Sequence, residues 1–174
     1  MGGWGLRHAP VTLQGKAREA MTQWTSAMPW DAFLTLTDPG LSHPEHMTKR
    51  CRYFEATVNR DLYGNNHERR GRGIETLTGI ERQERGSVHA HMLLRFPDHD
   101  IRDRDQVSLA YLQKKAASLG GFAWLEVPRS QADVVAYVTK YVLKDGDIIL
   151  GPLFDPNKPR SYRASLLGDL SNDP

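Results

Sequence analysis

The chain has 174 residues, 39% of them hydrophobic and 25% charged, with a formal net charge of +2. This composition reads as globular rather than disordered and allows a proper core, while the near-balanced charge neither announces nor excludes a nucleic-acid partner, because distribution matters more than the total. The single cysteine, Cys51, excludes an intrachain disulfide; with no apolar run near the length of a membrane span and no hydrophobic segment in the opening MGGWGLRHAP, a cytoplasmic protein without a membrane partner is expected.

Residues 14–28 (QGKAREAMTQWTSAM) are predicted to form a helix that stops before Pro29. DAFLTLT (31–37) alternates and is rich in β-formers, which predicts a strand, and DPG (38–40) a turn. Residues 44–62 are predicted helical, with Pro44 in the first turn and Met47, Cys51, Phe54 and Val58 as the inner stripe. The polar YGNNHERRGRG (63–73) reads as a loop. Two strands follow, at 74–82 and 87–96, joined by a short turn at Glu84, Arg85 and Gly86. After the polar PDHDIRDRD come a helix over 105–118 stopped by Gly120 and Gly121, a strand FAWLEV (122–127), and a helix over SQADVVAYVTKYVLK (130–144). Ser130 is its N-cap, with Asp133 in the capping-box place. DGD (145–147) ends that helix. One domain is expected, with a core over 31–147, an N-terminal extension over 1–30 and an irregular tail over 148–174. The order of elements predicts an α+β fold with a mainly antiparallel sheet and flanking helices.

The run IERQERGSVHAHMLLRF (80–96) sets two costly residues in an otherwise apolar strand. His89 and His91 alternate to the same face. If the turn centres near Arg85, Glu81 lies opposite His89, and opposed residues share a face. Two imidazoles and a carboxylate then form a divalent-cation site; the alternative is a pair of surface or hydrogen-bonded histidines. In the 130–144 helix, Tyr137, Tyr141 and Lys144 fall at i, i+4 and i+7, with Lys140 beside them. Either this is an amphipathic helix with half-buried tyrosines and solvated lysines, or it is reactive. A tyrosine hydroxyl, with a pKa of about 10, becomes competent against a phosphodiester when a metal neutralises the developing charge. Covalent attack then keeps the bond energy for religation.

Basic residues cluster at Lys49, Arg50 and Arg52 and at Arg69, Arg70 and Arg72. They form either a backbone-contacting surface, together with His67 in the same loop, or an ordinary solvated face. His43 and His46 are expected to be a helix cap and a surface residue, and Trp24, Trp30 and Trp124 to be core.

Together these features resemble the HUH endonucleases: rolling-circle replication initiators, relaxases and related transposases. FLTLT (33–37) resembles the first family motif, His89-Ala90-His91 the His-hydrophobic-His motif, and YVTKYVLKDGD (137–147) the nucleophile motif. Lys140, Tyr141, Lys144 and Asp147 fit the frame found in some plasmid initiators, and Tyr137 stands where those carry glutamate, as in the two-tyrosine group. The resemblance implies the ferredoxin-like, RRM-like HUH fold. It implies Tyr141 as primary nucleophile, Tyr137 as the second, Lys144 and Lys140 as helpers, and Mg²⁺ or Mn²⁺ held by His89, His91 and Glu81. The expected activity is sequence-specific nicking and joining of single-stranded or hairpin origin DNA through a 5′-phosphotyrosine, initiating rolling-circle replication. No phosphate-loop signature is present, so a helicase would act in trans. The alternatives are a non-catalytic nucleic-acid-binding module of ferredoxin-like fold, or a relaxase or transposase of the same superfamily.

Overall fold

In the computed structural model of the protein, the described residues are 11–12, 15–38, 40, 43–82, 86–96, 108–138, 140, 147–152 and 154. Among them six strands form one sheet: β1 (Val11–Thr12), β2 (Ala32–Asp38), β3 (Glu75–Arg82), β4 (Val88–Arg95), β5 (Phe122–Glu126) and β6 (Asp147–Leu150). Their order is β1-β6-β3-β4-β2-β5, and each neighbouring pair is antiparallel. The helices are α1 (Lys16–Ser26), α2 (Pro44–Tyr63), α3 (Leu109–Ala117) and α4 (Gln131–Tyr137). This is the expected α+β fold, an antiparallel sheet with flanking helices, consistent with a ferredoxin-like arrangement.

The period-2 alternation of the strands sends side chains to two cores. Ala32, Leu34 and Leu36 of β2 and Ala90, Met92 and Leu94 of β4 pack under α2 and α3. The inner stripe of α2 meets them: Met47, Cys51, Phe54 and Val58 are all buried, and burial pushes the Cys51 thiol up to about 12. Phe33 of β2, Leu77 of β3 and Leu93 of β4 face the other way, onto Val134, Tyr137 and Val138 at α4, with Met28 and Trp30 beyond α1. This second face carries the histidines.

Several boundaries differ from the sequence expectation. Residues 147–150 are a strand rather than a helix stop and the start of a tail; Ile148, Ile149 and Leu150 pair with Gly79, Thr78 and Leu77 of β3. Four residues between glycines carry no periodicity to read, and the open edge of β3 decides their conformation. Helix α3 starts at Leu109, because the Ser108 side chain accepts from Tyr111 N and caps it there. Helix α4 runs over Gln131–Tyr137, with Val138 and Lys140 in a wider, π-type turn; residues 141–144 of the expected helix lie outside the described residues. Of the expected β3–β4 turn, Glu84 and Arg85 lie outside the described residues.

Two polar features sit inside the molecule. Glu75 and Arg95 are cross-strand partners and form an ion pair at 2.5 Å, both almost fully buried. Glu55 of α2 is buried against Thr76, and Gly151 closes over them. A Cβ at Gly151 would press on Thr76 Oγ1 and come within 2.6 Å of Glu55 Oε1, so only glycine fits.

Candidate active site

Strand register builds the site. His89 pairs with Glu81 on β3 and with Thr37 on β2; His91 pairs with Gly79 and with Thr35. Directly opposed residues share a face, so Glu81, His89, His91, Thr35 and Thr37 stand together over the middle of the sheet. The two imidazoles lie nearly parallel, at 19°, with centroids 6.3 Å apart.

Each ring is held by its cross-strand threonine. Thr35 Oγ1 lies 3.2 Å from His91 Nδ1, and Thr37 Oγ1 lies 3.2 Å from His89 Nδ1. A hydroxyl donates or accepts as needed, so it serves either tautomer. Both contacts engage Nδ1, which leaves the Nε2 edge of each ring for another partner. For His91 that edge meets Glu81 Oε2 at 3.3 Å. His91 is 4% exposed, whereas Glu81 and His89 are half-buried, so the site is approached from their side.

Tyr137 reaches the same cluster from α4, on the opposite edge of His91. Its hydroxyl lies 3.2 Å from Thr35 Oγ1 and 3.5 Å from His91 Nδ1, and donates to Leu34 O at 3.4 Å. Its ring stacks on Phe33, with centroids 4.2 Å apart. Lys140 is exposed. Tyr141 and Lys144 lie outside the described residues, although covalent geometry holds the Tyr141 Cα within about 3.8 Å of that of Lys140.

Two neutral imidazole nitrogens and a carboxylate suit Mg²⁺ or Mn²⁺ in chemical type. Among the described residues no three His, Cys, Asp or Glu side chains already close on a common ion. Glu81, His89 and His91 would have to draw in to about 2.0–2.2 Å from it.

The basic residues are not gathered here. Lys49 and Arg52 are exposed on α2, which covers the other face of the sheet. Arg50 pairs with Asp38 at 3.1 Å and donates to Gly120 O, tying α2 to the end of β2 and the start of β5. Arg69 and Arg70 are exposed in a 3-10 turn (Glu68–Arg70), and Arg72 is half-buried beyond it. That turn precedes the Glu75 end of β3, six residues or about 20 Å of strand from Glu81. His67 is buried, with Nδ1 3.3 Å from Arg72 O, so it braces this loop rather than lying on a solvated surface. His43 caps α2 by accepting from Glu45 N, and His46 is exposed.

Two groups of residues were not expected at the site from the sequence. Thr35 and Thr37 were legible only as the polar positions of FLTLT, whose alternation puts both on one face. Trp124, expected in the core, is 54% exposed, and its neighbour Phe122 is 59% exposed. β5 is an edge strand, and these two side chains alternate away from the face that packs Ala123 against the α2–α3 core.

By fold and site, the chain is an antiparallel α+β protein with a His–Glu cluster on its central strands, joined by Tyr137 from α4. Residues 31–146, well over half of the chain, match the family described as replication-associated protein ORF2/G2P, and the chain belongs to that family. The family ties it to DNA replication and to DNA as a partner. No curated protein and no solved structure matches it. No helix among the described residues is long and apolar enough to cross a membrane.

Proposed function

We propose that this protein is an HUH-type endonuclease that nicks and rejoins single-stranded DNA to initiate rolling-circle replication. The observation that carries the reading is a coincidence of place. The span matching the replication family, 31–146, includes the strands on which Glu81, His89 and His91 share a face.

In the proposed reaction, the Tyr141 hydroxyl oxygen attacks the scissile phosphorus and the bond to O3′ breaks. The tyrosine proton passes to a nearby base or water, and the departing O3′ takes up a proton. The products are a 5′-phosphotyrosine and a free 3′-OH that primes synthesis. Attack by a 3′-OH on the phosphotyrosine reverses the step and joins strands. Glu81, His89 and His91 would hold Mg²⁺ or Mn²⁺, which would supply polarisation of the phosphate and offset charge on its oxygens. Thr35 and Thr37 would keep the imidazoles facing that ion, as partners on the far ring nitrogen do in metal sites. Lys140 and Lys144 would hold the phosphate or assist proton movement. Tyr137, with its hydroxyl on the Nδ1 side of His91, fits a positioning role better than that of second nucleophile. Origin DNA in single-stranded or hairpin form, and a helicase in trans, complete the proposal.

The test is incubation of the whole protein with a pool of single-stranded DNA and Mn²⁺, then denaturation and sequencing of the covalently captured strands. An adduct mapped by mass spectrometry to Tyr141, and abolished by EDTA, is the expected result. Retained binding without any adduct would leave a non-catalytic DNA-binding module instead.

A further inference from the structure

Phe122 and Trp124 occupy a particular place. β5 pairs with β2 so that Phe122 stands opposite Thr37 and Trp124 opposite Thr35. Two rows therefore run across one face of the sheet: Phe122, Thr37, His89, Glu81, and Trp124, Thr35, His91, Gly79. The aromatic residues end the same rows that hold the histidines, two strand spacings or about 10 Å away. Both rings are more than half exposed, on an edge strand where such exposure invites aggregation and needs a reason.

The strand beneath them is firmly seated. Ala123 is buried against the α2–α3 core, and Leu125 packs on it. Gln113 of α3 donates to Ala123 O at 2.5 Å. Gly121, at φ +73°, lets the chain approach so closely that any Cβ would collide with Thr37 O. The indole is pinned as well, since Trp124 Nε1 donates to Glu126 Oε1.

We infer that Phe122 and Trp124 form a stacking shelf for unpaired bases of the DNA strand, a nucleotide or two from the phosphate held at the histidines. This rests on the proposed reading of the site. Exposed aromatic rings on a sheet accept any base through its π-face, and here the shelf is continuous with the polar cluster on the same face. A pre-fixed indole loses little freedom on stacking. The shelf would set which stretch of strand crosses the site, while Glu81 and the histidines act on the phosphate.

The experiment is equilibrium binding in EDTA, so that nothing is cut, with a labelled strand of about twelve thymidines and its abasic counterpart. Wild type should bind the thymidine strand tenfold or more tighter than the abasic one. Phe122→Ala/Trp124→Ala should lose that preference and keep its affinity for the abasic strand. Phe122→Leu/Trp124→Leu, which keeps apolar packing without a π-face, should lose it too, with thermal melting as the folding control. Equal wild-type affinity for both strands, no affinity for either at low salt, or variants that bind thymidines as wild type does would each overturn the shelf. So would a wild-type dimer in sedimentation that the substitutions dissociate, since a second copy would then be the occupant. Adduct formation with Mn²⁺ is read separately. A protein that shows the base preference but forms no adduct keeps the shelf and loses the nicking proposal; the reverse pattern keeps nicking and loses the shelf.

Discussion

The Thr35 hydroxyl lies 3.2 Å from His91 Nδ1 and 3.2 Å from the Tyr137 hydroxyl. One small side chain on β2 thus ties together a histidine from β4 and a tyrosine from α4. If His91 is a metal ligand, Thr35 sets its ring plane. Thr35→Val keeps the shape and the β-branch but removes the oxygen. We expect nicking and Mn²⁺ affinity to fall about 10–100-fold, measured by titrating Mn²⁺ in the nicking assay, with thermal stability close to wild type. Unchanged Mn²⁺ dependence would show that the threonine merely fills space.

Tyr137 and Tyr141 should separate cleanly. Tyr137→Phe keeps the stack on Phe33 and removes only the hydroxyl beside His91. It should still yield the DNA-linked peptide at Tyr141, with a raised Mn²⁺ requirement. Tyr141→Phe should abolish the adduct while circular dichroism stays unchanged. Mass spectrometry of the linked peptide decides, and an adduct confined to Tyr137 would reverse the roles.

Arg69 and Arg70 are exposed in the turn that precedes the Glu75 end of β3, and that end lies about 20 Å of strand from Glu81. Arg69→Gln/Arg70→Gln should therefore weaken single-strand binding without slowing cleavage of the saturated complex. With about 0.7 of a log unit of salt slope per phosphate contact, two lost contacts should flatten the slope by about 1.4. A slope that does not move would assign these arginines to an ordinary solvated face.

Glu55 makes stability depend on pH. Burial lifts its carboxyl from 4.5 to about 8, so the folded protein keeps a proton that the unfolded chain gives up. Its contribution is complete below 4.5 and is lost as pH rises to about 8. Asp31, lifted by burial from 3.8 to about 7, acts with the same sign. Denaturant unfolding from pH 5 to 9 should show stability falling, and Glu55→Gln should remove part of that slope, on the order of a few kcal/mol. A slope unaltered by Glu55→Gln would mean that Asp31 or other groups carry it.

The Glu75–Arg95 pair is a test of fold rather than function. Arg95→Ala leaves a carboxylate buried without its partner and should cost about 3–5 kcal/mol. Glu75→Leu/Arg95→Met should recover most of that loss in chemical denaturation. Failure of the double variant to recover would show that the pair's further contacts matter more than its charge.

Much of this was legible in the sequence because alternation and hairpin register are local properties. Two histidines two apart and a glutamate across a short turn allow few arrangements, and the observed register sets Glu81 opposite His89. The threonines were readable by the same rule, but only once β2 is known to lie beside β4, which is a long-range pairing. Trp124 illustrates the opposite failure: a large apolar residue is normally buried, and nothing local says that β5 is an edge. β6 was invisible because four residues carry no period, and its conformation comes from the partner strand. The widening at the end of α4 was not legible either, because the apolar spacing of its valines runs on unbroken past Tyr137 and carries no sign of the π-type turn at Val138.

The wide turn at the end of α4 and the pairing of β6 have a joint consequence for the intervening chain. Val138 is buried in the core beside Tyr137, and Ile148 is locked in register with Gly79, the residue next to His91 on the sheet. The residues between them are moored at both ends. Tyr141 is three peptide units from the first mooring, so its Cα lies within about 11 Å of that of Val138 whatever path the chain takes. In the proposed reaction a strand joined at Tyr141 would therefore stay tethered within a short reach of Val138, with the free 3′-end as the part able to leave.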